Sequence, residues 1–217
     1  PYRRQRQMCI RDREFSDIAV TYSAEGNADY HAEFIRMNAT GCSYMLVNER
    51  EKTACRVDMN MMGLYNVQNS LCAIAMVTAL GFDMTECAKA LSDLDGVDGR
   101  MNVVYRGDFT VITDYAHTDD ALIKVLSTLK PLTKGRLICV FGAAGDRDKE
   151  KRPMMAKAAE DNADILVITS DNPAHENPDE IIREVMTGIS GKKPCRCITD
   201  RREAIAYALD TARKDDV

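Results

Sequence analysis

Nowhere in the 217 residues does an apolar run approach the roughly 20 that a membrane-spanning helix needs, so no membrane partner is expected. There is no basic stripe and the net charge is −5, which argues against nucleic acid as a partner. The opening stretch, PYRRQRQMCIRDREF, is basic but has no apolar core of the kind a secretory signal requires. The eight cysteines include no Cys-x-x-Cys pair. Cys195 and Cys197 lie two apart, on one face of an expected strand, which suits packing better than zinc. No metal site and no disulfide are therefore expected, and the expected compartment is a reducing cytoplasm. Two nucleotide signatures are also missing. The phosphate loop G-x-x-x-x-G-K-[ST] does not occur, TGISGKK having the wrong spacing, and neither does G-x-G-x-x-G. Internal repeats and low-complexity tracts are absent as well.

What is present is the composition of an ordinary globular protein, 45% hydrophobic and 29% charged, long enough for one large domain or two small ones. The twelve methionines read as gap-filling core residues. Residues 15 to 60 hold short strand-type runs: SDIAVTYS, DYHAEFIRM, CSYMLVNE and TACRVDM. Turn signals at Glu25-Gly26-Asn27 and Thr40-Gly41 separate them and predict a small, largely antiparallel sheet. NVQNSLCAIAMVTALG then crowds apolar residues from Val67 to Leu80, with Gly81 where a helix C-cap belongs. A second helix is expected over roughly Met84 to Leu91, and SDLDGVDGR is the linker candidate.

Beyond the linker, strands and helices alternate. DFTVITD precedes DDALIKVLSTLK, GRLICVFG precedes KRPMMAKAAEDN, ADILVITS precedes PDEIIREVM, and PCRCIT precedes RREAIAYALDTARK. Alternation at this spacing implies right-handed crossovers, and the second half reads as a doubly wound, mostly parallel α/β domain. Another strand is expected to begin at Asp215-Asp216-Val217.

Ligands in open α/β sheets bind beyond the carboxyl ends of the strands, and three such ends carry unusual residues. The first is Asp114-Tyr115-Ala116-His117-Thr118-Asp119-Asp120. It reads equally as a helix start, with Thr118 the cap and the two acids at the positive end of the dipole, or as a site in which Asp114 meets a ribose or amine and His117 a phosphate. The second, Gly142-Ala143-Ala144-Gly145-Asp146-Arg147-Asp148, has glycines that permit close backbone approach to a ligand. Its arginine is either part of a surface ion-pair cluster or a fork for a carboxylate. The third is TSDNPAHENP, residues 169 to 178, in which two Asn-Pro pairs punctuate the chain. Asp171 and Arg147, one strand apart, would hold the ammonium and carboxylate of an amino acid.

GRMNVV, FTVITDYAHTDDAL, VFGAAGDRDKEKRPMM and TSDNPA resemble the Mur ligases, and more closely those that add the third residue of the peptidoglycan stem peptide. GLYNVQNSLCAIAMVTALG is similar to the asparagine-bearing helix of their central ATP-binding domain. The resemblance covers nearly the whole chain; Asp119 departs from it, since the family usually has proline there. It implies that residues 1 to 98 are the latter part of the central domain, of P-loop type with a small antiparallel sheet. Residues 99 to 217 would be most of a Rossmann-like C-terminal domain, truncated at its end. Asn66 and Asn69 resemble the asparagines near the nucleotide base, and Arg100 the arginine that reaches the ATP phosphates. Asp114 and His117 resemble residues on the ribose and phosphate side of ATP. Arg100 and His117 are thus the catalytic candidates. Arg147, Asp171, Asn172, Pro173 and Ala174 resemble the pocket for the incoming amino acid.

The implied reaction uses ATP and Mg2+, with the metal ligands and phosphate loop expected upstream, so the chain is not expected to turn over alone. ATP phosphorylates the D-glutamate side-chain carboxylate of UDP-N-acetylmuramoyl-L-alanyl-D-glutamate, and the amine of a diamino acid displaces the phosphate. Relatives that add meso-diaminopimelate have arginine where this chain has Ala174, so L-lysine is the expected diamino acid. Glu176 or Asp179 is a candidate for its ε-ammonium, or else surface charge at a helix start. Diaminopimelate addition and a non-catalytic binding module remain the alternatives. A nicotinamide oxidoreductase is disfavoured by the missing glycine fingerprint. A monomer is expected.

Overall fold

The computed structural model describes residues 19–38 and 41–217. The basic opening stretch, Cys9, the first residues of SDIAVTYS and Thr40 of the expected turn lie outside them. The chain divides into two compact units, Pro1–Asp95 and Gly96–Val217.

The first unit builds a four-stranded sheet from β1 (Tyr22–Ser23), β2 (Tyr30–Asn38), β3 (Gly41–Asn48) and β4 (Thr53–Met59), in that order. β1 joins β2 in parallel, and the other pairings are antiparallel. Period-two alternation in β3 sends Cys42, Tyr44 and Leu46 inward. Helix α1 (Leu64–Ala79) answers with a stripe of Val67, Leu71, Ile74 and Ala75. These join Val57 and Tyr30 in one core, where the Tyr44 hydroxyl meets the Ser70 hydroxyl at 2.7 Å. Asp83 caps helix α2 (Met84–Ser92) by accepting from the amides of Thr85 and Glu86.

The second unit contains β5 (Asn102–Arg106), β6 (Thr110–Thr113), α3 (Asp119–Leu129), β7 (Ile138–Phe141), α4 (Lys151–Asn162), β8 (Ile165–Ile168), α5 (Pro178–Met186), β9 (Cys195–Cys197) and α6 (Arg201–Thr211). Strands β7, β8 and β9 form a parallel sheet in that order. Leu166, Val167 and Ile168 are fully buried, as a strand covered on both faces requires. Val167 meets Ala204 and Ala208 of α6 on one face. Helices α3, α4 and α5 pack side by side, with α4 against β8.

One expected strand takes a different place. DFTVITD, expected to open the parallel sheet, is β6, which pairs antiparallel with β5, Asn102 opposite Thr113 and Arg106 opposite Thr110. A register shift between Val103 and Tyr105 breaks the alternation of β5, so its sequence carries no clean period of two. Residues 215–217 run between β6 and β7 with strand-type bonds on both sides. The amides of Asp215 and Val217 donate to the carbonyls of Asp108 and Arg136, at 2.7 and 3.0 Å. In return Asp216 and Val217 accept from the amides of Thr110 and Ile138, at 3.0 and 2.7 Å. Asp216, buried, also takes the Arg136 guanidinium at 2.5 Å.

Candidate functional site

Two loops meet at the carboxyl ends of β7 and β8. Gly145 N donates to Asn172 O at 2.7 Å. A Cβ at Gly145 would lie 1.9 Å from Pro173 O, and one at Gly142 2.3 Å from Thr169 O. The expected close backbone approach therefore exists, but between loop and loop. The Asn172 side chain accepts from the Ala174 amide at 3.2 Å, closing a turn. Asp146 and Ala174 both adopt left-handed backbones, φ 53° and 49°, which residues with a Cβ enter at a cost of about 1–2 kcal/mol.

Beneath these loops lies Arg152, only 1% exposed. Its guanidinium grips Glu176 in two places, Nη1 to Oε2 at 2.9 Å and Nη2 to Oε1 at 2.7 Å, and reaches Glu184 Oε2 at 2.5 Å. Nη2 also donates to Ala144 O at 3.3 Å, while Nε is buried without an acceptor. Glu176 accepts in addition from the Asp146 amide at 2.7 Å and from Lys149 Nζ at 3.0 Å. These donors hold its carboxyl well below the ordinary range, Arg152 foremost. Glu176 is therefore consumed by the scaffold, which corrects the expectation of an ammonium ligand. Asp179 is engaged as well, accepting from the Thr199 hydroxyl at 2.5 Å. Asn177 and Pro178 are the cap and first residue of α5, so the second Asn-Pro pair is a helix start.

On the exposed side of the same loops the picture is opposite. Arg147 makes no hydrogen bond or ion pair among the described residues, so it is no member of an Asp146–Arg147–Asp148 cluster. Asp171 is exposed, with Arg201 Nη1 at 4.0 Å. His175 Nδ1 donates to Asp146 Oδ2 at 2.6 Å, and that carboxylate raises the imidazole pKa above its usual value.

A second group gathers around β5 and β6. Asp114 accepts from the amides of Met101 and Ala116, both at 2.9 Å, and so ties the turn carrying Arg100 to the loop carrying His117. One lone pair on each oxygen remains for a hydroxyl or amine. The Arg100 guanidinium lies 4.9 Å from the Tyr115 ring centroid, and His117 stands edge-on to the same ring at 5.0 Å. His117 Nδ1 donates to Tyr115 O at 2.9 Å. A phosphate contact through Nε2 therefore needs the doubly protonated ring. Thr118 caps α3 through the Ala121 amide at 3.2 Å, as the helix-start reading expects. Tyr115 was not marked by the sequence reading; its only signal was its place between two candidates.

The two asparagines of the first unit differ in kind. Asn66 is buried, its amide donating to Met62 O at 2.7 Å, while Asn69 is exposed.

Comparison with known families assigns both parts of the chain. Residues 99–217 match the Mur ligase, glutamate ligase domain, and residues 4–77 the Mur ligase middle domain. The chain belongs to the Mur ligase family. A UDP-N-acetylmuramoyl-L-alanyl-D-glutamate–2,6-diaminopimelate ligase from Geobacillus kaustophilus is 42% identical over 91% of this chain and 40% of its own length. The corresponding ligase 1 of Clostridium acetobutylicum is 41% identical over 95% of this chain and 43% of its own. The solved UDP-N-acetylmuramate–alanine ligase of Thermotoga maritima shares the fold at TM-score 0.70 and 23% identity, covering 91% of this chain and 43% of its own. This Mur ligase chain thus spans about two fifths of the relatives it matches. Among its described residues no helix is long and apolar enough to cross a membrane, and no three His, Cys, Asp or Glu side chains cluster to hold a metal ion.

Proposed function

We propose that this chain carries the amino-acid-binding part of an ATP-dependent ligase that joins a diamino acid to UDP-N-acetylmuramoyl-L-alanyl-D-glutamate. The observation that carries this reading is Arg147: a guanidinium with no partner among the described residues, on a loop bonded to the loop that carries the exposed Asp171. A bidentate fork suits the α-carboxylate of an amino acid, and an aspartate suits its ammonium. ATP would phosphorylate the D-glutamate carboxylate. The diamino acid's amine, once deprotonated, would attack that carbon and expel phosphate. Arg147 and the turn of Asp171 to Ala174 orient the nucleophile, and Arg100 and His117 meet phosphate charge as it develops. Magnesium would help to neutralise the phosphate charge, and the described residues include no cluster of three His, Cys, Asp or Glu side chains to hold it.

L-Lysine is the diamino acid that Ala174 favours. Its methyl group supplies no cation for a second carboxylate, and the imidazole of His175 is already bound to Asp146. An uncompensated buried carboxylate costs about 2–5 kcal/mol, roughly 30- to several-thousand-fold in affinity. The second reading is meso-diaminopimelate, favoured by the names of the 41–42% identical relatives. Phosphate release by a full-length ligase containing this chain, given ATP, magnesium, the dipeptide substrate and each amino acid in turn, decides between them. Release with lysine supports the Ala174 argument; release with diaminopimelate alone discards it. Silence with every amino acid returns the chain to a binding module.

A further inference from the structure

We infer that Arg152 and Glu176 form a positioning pair for the amino-acid pocket, setting the backbone from which Arg147 and Ala174 project. The inference rests on the proposed function and adds two residues to it that touch no substrate.

Three consecutive residues of the first loop are tied to this pair or to its neighbouring loop. Ala144 O accepts from Arg152, Gly145 N donates to Asn172 O, and Asp146 N donates to Glu176 Oε1. The last tie fixes the Gly145–Asp146 peptide, one residue ahead of Arg147, whose own side chain has nothing among the described residues to hold it. The second loop is tied at the same residue, since the Glu176 backbone N–H donates to Pro173 O at 2.9 Å and so closes the turn over Ala174. One residue thus fixes both sides of the pocket, the first loop through its carboxylate and the second through its backbone. Two left-handed residues with side chains persist here, a strained arrangement that surrounding contacts must enforce. A guanidinium is matched to this task because its fork holds both oxygens of Glu176 and keeps a donor for Ala144.

A purely structural ion pair would stabilise the unit and leave the pocket alone, so the experiment needs a carboxylate of that kind as reference. Glu160 serves. It is 3% exposed, lies on the same helix, and accepts from Ser190 N, Ser190 Oγ and Lys192 N, far along the helix from these loops.

The test compares Glu176→Gln, Arg152→Lys and Glu160→Gln in a full-length ligase containing this chain. It reads KM for the diamino acid, KM for ATP, kcat and Tm. Glu176→Gln is expected to raise the diamino acid KM about ten- to a hundredfold, the scale of a misplacement near 1 Å, with the ATP KM within about twofold. Arg152→Lys keeps the buried charge but loses the fork, and should move the same constant the same way; it supplies the reading if Glu176→Gln fails to fold. Glu160→Gln should lower Tm and leave both KM values in place. A diamino acid KM within about twofold of the parent in the first two variants, with Tm lowered as in the third, would overturn the inference. Absence of turnover in the unaltered ligase would sink the functional reading, and this inference with it.

Discussion

The two ends of α4 are built from the same parts to different ends. At its C-terminal end Glu160 gathers donors from Ser190 and Lys192, and the neighbouring turn takes its left-handed residue as Gly191, φ 82°. At its N-terminal end Arg152 and Glu176 gather the loops after β7 and β8, and the left-handed residues are Asp146 and Ala174. One end uses glycine, which occupies that conformation freely; the other uses residues with side chains. The second end also supports an arginine with no partner among the described residues. Local strain and an unspent charge occur together at the end of the sheet where the amino-acid pocket is proposed.

The largest effect separating the ends is expected from Arg147→Ala. In a full-length ligase containing this chain, kcat/KM for the diamino acid should fall by roughly 30- to several-thousand-fold, since a substrate carboxylate loses its partner. Tm should not move, because the side chain stabilises nothing in the folded unit. A lower Tm with unchanged kinetics would reverse the contrast between the two ends.

That contrast was only half legible in the sequence. The strands ADILVITS and GRLICVFG, the cap at Thr118 and the Asn177-Pro178 start of α5 follow from local chemistry, and the structure has them where the residues call for them. Arg147 could be singled out as a fork in search of a carboxylate. Arg152 could not, because in KEKRPMM it sits in a run of charge that reads as a solvated helix start, and only the packing of α4 beneath two loops buries it. Glu176 was misread for the same reason: its partner is 24 residues away in sequence. Strand β5 escaped notice because its bulge destroys the alternation that identifies strands.

A smaller effect tests the strain directly by exchanging glycine and alanine between the ends. Gly191→Ala meets no atom within 4 Å, so only the backbone opposes it. It should destabilise by about 1 kcal/mol, the left-handed cost partly offset by a less flexible unfolded chain. Ala174→Gly should be neutral or stabilising by less than about 1 kcal/mol. Urea midpoints of the two variants check this, and equal losses in both would deny that Ala174 is strained.

Acid titration comes next. Donors from Ser190 and Lys192 depress the Glu160 carboxyl to about 2 from its ordinary 4.5. A depressed acid contributes stability that is complete above the ordinary value and lost as pH falls through the folded one. Glu160→Gln should therefore be less stable than the parent at pH 6, and the gap should close between pH 4.5 and 2. A gap independent of pH would mean that the carboxylate's charge does not hold the Ser190 turn.

The smallest effect belongs to His175, and it bears on how the strained end is held. Its pKa is raised by Asp146, so the sign is opposite to that of Glu160. The charged pair is complete below the ordinary histidine value of 6.5 and is lost as pH rises through the raised one. The ring is 94% exposed, where solvent and salt screen such a pair heavily. His175→Gln should therefore lower Tm slightly at pH 5.5 and in low salt, and not at pH 9. If the difference persists at pH 9, a neutral hydrogen bond suffices to hold Asp146. If it vanishes at both values, the left-handed backbone before Arg147 depends on Glu176 alone, and the work of that end of α4 falls entirely on the buried pair.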